Sequence, residues 1–155
     1  MHQHVVITRF GRLRLVETDG AVSSVAWAGP DAVAAAAPTP LLDEAARQLA
    51  AYEAGDLTRF ELPLRVDGSA FQQAVCRAMS DIPFGETRTY GDLAKLLDQP
   101  AQAVGQACGR NPIPIIIPCH RVMGAGGRLT GFSGGDGVET KVALLRHEGA
   151  GGFLL

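Results

Sequence analysis

The run Tyr90-Gly91-Asp92-Leu93-Ala94-Lys95-Leu96-Leu97-Asp98-Gln99-Pro100-Ala101-Gln102-Ala103-Val104-Gly105-Gln106-Ala107-Cys108-Gly109 decides how the second half of this chain folds. Tyr90 to Leu97 turns Leu93, Leu96 and Leu97 inward at helical spacing, Asp98-Gln99 makes a turn, and Pro100 opens a second helix that ends at Gly109. Two short helices about a tight turn are the outline of a helix-turn-helix. The second helix is built from small residues, Ala101, Ala103, Gly105, Ala107 and Gly109, at a propensity cost of up to about 1 kcal/mol per interior glycine. Two readings stay open: close packing of this helix on the core, or entry of a slim helix into a minor groove about 6 Å wide, with Gln102 and Gln106 facing outward one turn apart.

Upstream, Ser69 to Ser80 reads as a helix with Phe71, Val75, Ala78 and Met79 on one face, stopping before Pro83-Phe84-Gly85. Asp67-Gly68-Ser69 is a charged turn meeting a Ser cap, and a domain junction is placed there, giving domains 1–68 and 69–155. The first of these is expected to be α/β. Val5 to Thr8, Arg12 to Val16 and Val22 to Trp27 alternate apolar with polar residues, with Gly11 and Asp19-Gly20 at the turns, so they predict a small β-meander. Thr39 caps an amphipathic helix that begins at Pro40 and carries Leu41, Leu42, Ala45, Leu49 and Tyr52 up to Gly55. Phe60 to Val66 is expected to be a further strand, placed on an edge by Pro63.

Downstream, Asn111-Pro112-Ile113-Pro114-Ile115-Ile116-Ile117-Pro118-Cys119-His120-Arg121-Val122 is the run richest in chemistry. Its prolines fix φ and its isoleucines seek burial, so a stiff apolar lead-in holds Cys119 at a core edge. A cysteine in apolar surroundings is commonly an inert small hydrophobe; the adjacent His120 and Arg121 favour a nucleophile. Neighbouring side chains in extended chain point apart, so Cys119 and His120 are expected to communicate through a bridging water. A last helix from about Gly137 to His147 brings up Glu148, which is placed to orient His120 so that its other ring nitrogen takes the thiol proton.

The chain has 155 residues, 46% hydrophobic and 19% charged, with a formal net charge of −2. That is enough for a packed core without staples, and too apolar for disorder. Residues 1–68 carry six basic and nine acidic side chains, and residues 69–155 eight and seven. No apolar stretch approaches the roughly 20 residues of a membrane span, and the start lacks a signal-peptide pattern, so a cytoplasmic protein without membrane contact is expected. Cys76, Cys108 and Cys119 have neither disulfide-framework nor zinc-knuckle spacing, and a metal site from Cys108, Cys119, His120 and His147 matches no common pattern, so no metal is expected.

Pro118-Cys119-His120-Arg121-Val122, with Asn111-Pro112-Ile113 before it and Leu129-Thr130-Gly131-Phe132-Ser133-Gly134-Gly135, Lys141, Leu144-Leu145 and Glu148-Gly149 after it, resembles the O6-alkylguanine-DNA alkyltransferases. The likeness extends back through Phe71-Gln72, Ile82-Pro83, Gly85 and Thr89-Tyr90-Gly91. It implies an α+β fold: a small, ribonuclease-H-like N-terminal β-meander plus helix, packed on a helical, winged helix-turn-helix-like C-terminal domain that binds DNA and carries the alkyl transfer. It implies a monomer that docks on double-stranded DNA through the minor groove, flips out an alkylated guanine (or an O4-alkylthymine), and moves the alkyl group irreversibly to Cys119. A thioether has no easy leaving group, so the protein is consumed in one turnover and needs no cofactor.

Carried over by the resemblance, Cys119 is the nucleophile, His120 its water-mediated base, Glu148 the group that orients His120, and Asn111 the brace of the Cys-His turn. Tyr90 donates its hydroxyl to the leaving guanine. The Val122 and Cys119 carbonyls receive the guanine amino group, the Ser133 amide faces O6, and Phe132 lines the pocket where a tyrosine is common. Ala101, Gln102, Ala103, Gly105, Arg110 and Arg121 are expected at the DNA. Gln102 stands where the family usually has an arginine that fills the gap left by the flipped base, and it is shorter and uncharged. Cys76 stands where a tryptophan is usual, and the segment from Gly135 to Lys141 is slightly longer. Two competing functions are a relative that binds alkylated DNA and recruits other factors without transfer, and a cysteine hydrolase using Cys119, His120 and Glu148. The first lacks the cysteine and keeps the arginine; the second needs a Gly-rich oxyanion turn that this chain does not have before Cys119.

Overall fold

The computed structural model describes residues 1–129 and 137–150, and contacts divide the chain into two compact units, Met1–Val66 and Asp67–Leu155. The architecture is α+β, with a small antiparallel sheet and helices.

In the first unit, β1 (His2–Thr8), β2 (Gly11–Thr18) and β3 (Ala21–Trp27) form an antiparallel sheet in that order. Both hairpins are set by their turns. Asp19 and Gly20 both have positive φ, the geometry whose twist suits a two-residue hairpin. At Gly11 a Cβ would stand 2.7 Å from the Trp27 ring, and φ is +124°, so glycine is required twice over. Leu13 and Leu15 of β2 are buried with Val22 and Val25 of β3, as are Leu42, Ala45, Leu49 and Tyr52 of α1 (Pro40–Glu53). Thr39 caps α1, its hydroxyl accepting from the Leu42 amide at 3.2 Å.

The strand expected over Phe60 to Val66 does not form. Only Leu64 bridges, with the Val22 amide donating to Pro63 O and the Arg65 amide to Val22 O, both at 2.9 Å. Proline at 63 removes one donor from the ladder, and the buried Gln48 side chain replaces the strand partner. Gln48 accepts from the Glu61 amide at 2.9 Å and donates to the Glu61 carbonyl at 3.1 Å.

The second unit is mostly helical. Ser69 caps α2 (Ala70–Ser80), accepting from the Gln72 amide at 3.1 Å. Thr89 and Asp92 form a reciprocal capping box at the start of α3 (Tyr90–Leu97). Asp98 then adopts the left-handed conformation that ends α3, and α4 (Ala101–Gly109) follows. Gln72 donates to the Ala107 carbonyl at 2.8 Å and so ties α2 to α4. Two elements too short to be read from sequence, β4 (Arg88–Thr89) and β5 (Val122–Met123), pair in parallel. This brings the start of α3 beside the chain leaving Cys119. The last helix is α5 (Val138–Glu148), ended by Gly149 at φ +67°.

Candidate active site

The site begins with the apolar lead-in. Ile113, Ile115, Ile116 and Ile117 are buried, and the Ile117 amide donates to Ile113 O at 2.8 Å, closing a turn. Ile115 sits in that turn at φ +72°, which a β-branched residue tolerates only when its surroundings over-determine it. Asn111 crosses the turn: Nδ2 donates to Ile117 O at 2.8 Å, and Oδ1 accepts from the Ile113 amide at 3.0 Å. The Cys119 amide also donates to Ile117 O, at 2.8 Å. One carbonyl therefore anchors both the brace and the nucleophile's own backbone.

Cys119 to Arg121 form one short 3-10 turn. The turn gives the two adjacent side chains different surroundings. Cys119 stays partly exposed, while His120 is fully buried. Burial raises the Cys119 thiol above its ordinary pKa, against the Asn111 side chain and the positive charge of Lys141, which pull it down.

His120 Nε2 lies 2.7 Å from Glu148 Oε2. Burial would raise the Glu148 carboxyl, but the hydrogen bonds and charges of His120 and Arg121 outweigh it and hold the carboxyl at about 2. Burial dominates at His120 and lowers its pKa, so the imidazole is neutral near pH 7, where the standing ion pair of Glu148 is the one with Arg121. A neutral ring beside a carboxylate donates from Nε2, which leaves Nδ1 as the acceptor. Nδ1 is buried and has no hydrogen-bond partner among the described residues. The buried ring thus keeps one basic nitrogen unused, and the thiol of the preceding residue does not ionise easily by itself.

Arg121 corrects an expectation. Instead of lying at a DNA-facing surface it is only 6% exposed. Its Nε donates to Glu148 Oε1 at 2.8 Å, Nη2 to Glu148 Oε2 at 3.0 Å, and Nη1 to Ile82 O at 2.6 Å. The guanidinium also lies over the Phe84 ring, 5.8 Å from its centroid, and Phe84 makes a T-shaped contact with His147. Three of its five N–H groups are taken inside the protein, and burial keeps the guanidinium away from a phosphate at the surface. Its place is behind His120, as the counter-charge of Glu148.

Lys141, which carries part of the resemblance but received no role from the sequence, is a buried charge near the Cys119 turn. It is 1% exposed on the inner face of α5, and Nζ donates to Val122 O at 2.6 Å. The pattern held a signal: positions 141, 144, 145 and 148 share one helical face with Leu144, Leu145 and Glu148, so a lysine there points into the core. Tyr90, half-buried, opens α3, and a Cβ on Gly105 would approach its ring at 3.9 Å. On α4, Ala101, Gln102, Gln106 and Gly109 are exposed and Arg110 follows, exposed too. Ala103 and Gly105 are half-buried, and Val104, Ala107 and Cys108 face the core. Small residues therefore serve packing on one side and leave a slim outer face on the other. Val122 is fully buried, so only its backbone carbonyl is on offer. Phe132 and Ser133 lie outside the described residues. No cluster of three or more metal-ligating side chains occurs among the described residues.

A partly open thiol next to an imidazole oriented by a buried carboxylate defines a protein with a cysteine nucleophile. Residues 70–150 match the family described as 6-O-methylguanine DNA methyltransferase, DNA binding domain. The methylated-DNA–protein-cysteine methyltransferase of Methanosarcina acetivorans is 51% identical over 109 residues, covering 69% of this chain and 69% of that protein. That of Mycolicibacterium paratuberculosis is 53% identical over 106 residues, covering 66% of this chain and 64% of that protein. A crystal structure of Mycobacterium tuberculosis OGT in complex with DNA superposes with a TM-score of 0.84 at 41% identity, covering 96% of this chain and 93% of that one. The chain belongs to the O6-methylguanine-DNA methyltransferase family.

Proposed function

We propose that this protein repairs DNA by direct reversal, transferring the alkyl group of O6-alkylguanine to Cys119 in a single turnover. The observation that carries the reading is the partly exposed Cys119 beside His120, whose Nε2 is fixed by Glu148 and whose Nδ1 is left as an acceptor. Burial keeps Cys119 a thiol near neutrality, so attack needs a base, and His120 takes the proton through one water. The sulfur then displaces the alkyl carbon in line: the S–C bond forms as the C–O6 bond breaks. The released electron pair passes into the guanine ring, where the Tyr90 hydroxyl supplies a proton to a ring nitrogen, and the proton taken up by His120 passes through water to restore the Tyr90 hydroxyl.

The finer picture follows from the family. Helices α3 and α4 act as a helix-turn-helix in the minor groove, with the outer face of α4 along the backbone and Gln102 as a weak wedge in the stack. Flipping the base costs a few kcal/mol, which the backbone contacts and the carbonyls of Val122 and Cys119 offset. Every group assigned belongs to one chain, so a monomer suffices, and a reducing cytoplasm keeps the thiol available.

The test is intact-protein mass after incubation with duplex DNA holding O6-methylguanine. Expected are a gain of one methyl group, about 14 Da, mapped to Cys119, one equivalent per protein, and no gain in Cys119→Ser. A gel shift with no mass gain would instead make the protein a lesion binder; repeated turnover would make it a hydrolase.

A further inference from the structure

The turn between α2 and β4 carries an aromatic ring to which the mechanism gives no part. The Glu86 amide donates to Pro83 O at 3.1 Å, and Gly85 stands third in that turn at φ +85°, the position at which a type II turn needs glycine. Phe84, second in the turn, is presented from its corner. A Cβ on Gly85 would stand 3.4 Å from the Glu148 carbonyl oxygen, so the turn rests on the end of α5. The Phe84 ring meets two groups there. It makes a T-shaped contact with His147, the residue before Glu148, and the Arg121 guanidinium lies over it, 5.8 Å from the centroid. Arg121 also grips the chain entering the turn, through Ile82 O. Hydrogen bonds to Glu148 and Ile82 hold the guanidinium by its edges; a ring on its face limits tilt and keeps water off the ion pair.

We infer that Phe84 is a positioning residue for the proton transfer: its ring holds the Arg121 guanidinium against Glu148 and so fixes the carboxylate that orients His120. The inference rests on the reading of His120 as the base for Cys119. The path is short and lies wholly in the second unit. Phe84 faces Arg121, Arg121 donates to Glu148 at 2.8 and 3.0 Å, and Glu148 lies 2.7 Å from His120. The charged and titrating groups that face His120 are Glu148 and Lys141 of α5 and Arg121 of its own turn, with Cys119 next to it in the chain; His147 of α5 faces Phe84. Without the ring, water reaches the guanidinium and its hold on Glu148 weakens. The wetter site and the freer carboxylate both favour an imidazolium, the form that cannot take the thiol proton.

The experiment titrates His120 by NMR in the DNA-free protein. In Phe84→Met, which keeps bulk and removes the ring, the His120 midpoint should rise by about one pH unit. Phe84→Tyr keeps the aromatic face and should leave the midpoint in place. Single-turnover methyl transfer by the Met variant should slow several-fold at pH 6 and less at pH 8. A midpoint that stays put in Phe84→Met while the variant melts earlier would make Phe84 purely a packing residue and overturn the inference. An equal rise in the Tyr variant would overturn it too, because the aromatic face would then be irrelevant. Should Phe84→Met fail to fold, the unaltered protein supplies the measurement: the Arg121 Nε–H, sealed under the ring, should exchange with solvent slowly, and fast exchange would overturn the inference equally. The titration involves no DNA, so failure of methyl transfer in the unaltered protein would sink the proposed function separately.

Discussion

Glu148 serves one imidazole and one guanidinium at once, and its acid behaviour follows from that. Its folded pKa, about 2, lies below the ordinary 4.5, so the folded chain binds fewer protons there than the unfolded chain. That stabilisation is whole above pH 4.5 and is lost as pH falls toward 2. It amounts to roughly 3 kcal/mol. His120 acts in the same direction from higher pH, since burial holds it below its ordinary 6.5 and the unfolded chain gains a proton that the folded one refuses. Urea unfolding should show stability declining below pH 6.5 and most steeply below 4.5. Glu148→Gln should flatten the part below 4.5. At neutral pH it should cost about 3–5 kcal/mol, because Arg121 is left buried without a counter-charge. An equally steep acid limb in the variant would show that the carboxylate is not its source. Asn111 gives a second residue-level outcome. Asn111→Asp keeps the acceptor for the Ile113 amide but sets an oxygen against Ile117 O, whereas Asn111→Ala only removes both bonds. The Asp variant should therefore be the less stable of the two, by about 1–2 kcal/mol in thermal melts, and the slower in single-turnover transfer.

At the scale of elements, the lead-in to Cys119 stores strain that the sequence conceals. Helices α1 to α4 were legible because each has a cap or a proline at its start and an apolar stripe along it. The turn at Ile115 was not, because no sequence rule puts isoleucine at φ +72°. Long-range partners were hidden as well: nothing near Arg121 announces that Glu148, 27 positions on, removes it from the surface. The two-residue strands β4 and β5 are too short to show a period. The strain at Ile115 has a measurable signature. Truncating this buried side chain costs about 2–5 kcal/mol whichever small residue replaces it. Gly should nevertheless be as stable as Ala at 115 or better, since Ala keeps a left-handed penalty of about 1–2 kcal/mol and Gly does not. At Ile113, which has no positive φ, the order should reverse by about 0.5–1 kcal/mol. Chemical denaturation of the four variants checks this, and Ala above Gly at both sites would remove the strain. On α4, exposed Gln102 is the element's point of contact in the proposed docking. Gln102→Arg should tighten binding to lesion DNA several-fold and Gln102→Ala should weaken it; equal affinities would leave Gln102 outside the stack.

Across the whole molecule, charge is the property that local motifs do not capture. Residues 1–68 carry three more acidic than basic side chains and residues 69–155 one more basic than acidic, so overall charge offers DNA no general attraction. Affinity must then come from a few placed cations. Arg121 and Lys141 are withdrawn by burial; of the six cations that remain in the second unit, Arg88, Lys95, Arg110 and Arg128 are the phosphate candidates weighed: the last three are exposed and Arg88 is half-buried. Each phosphate neutralised releases counterions, and the logarithm of affinity falls with the logarithm of salt at a slope of about −0.9 per contact. Four contacts give a slope of about −4, shallow enough for binding to survive moderate salt. Arg110→Ala, at the end of α4, should reduce that slope by about one and weaken lesion and undamaged duplexes alike, because a phosphate carries no record of the base attached to it. Arg121→Met should leave the slope unchanged in whatever fraction folds. Fluorescence anisotropy across a salt series measures both. A slope that drops in the Arg121 variant and holds in the Arg110 variant would return Arg121 to the DNA face and contradict its role behind His120.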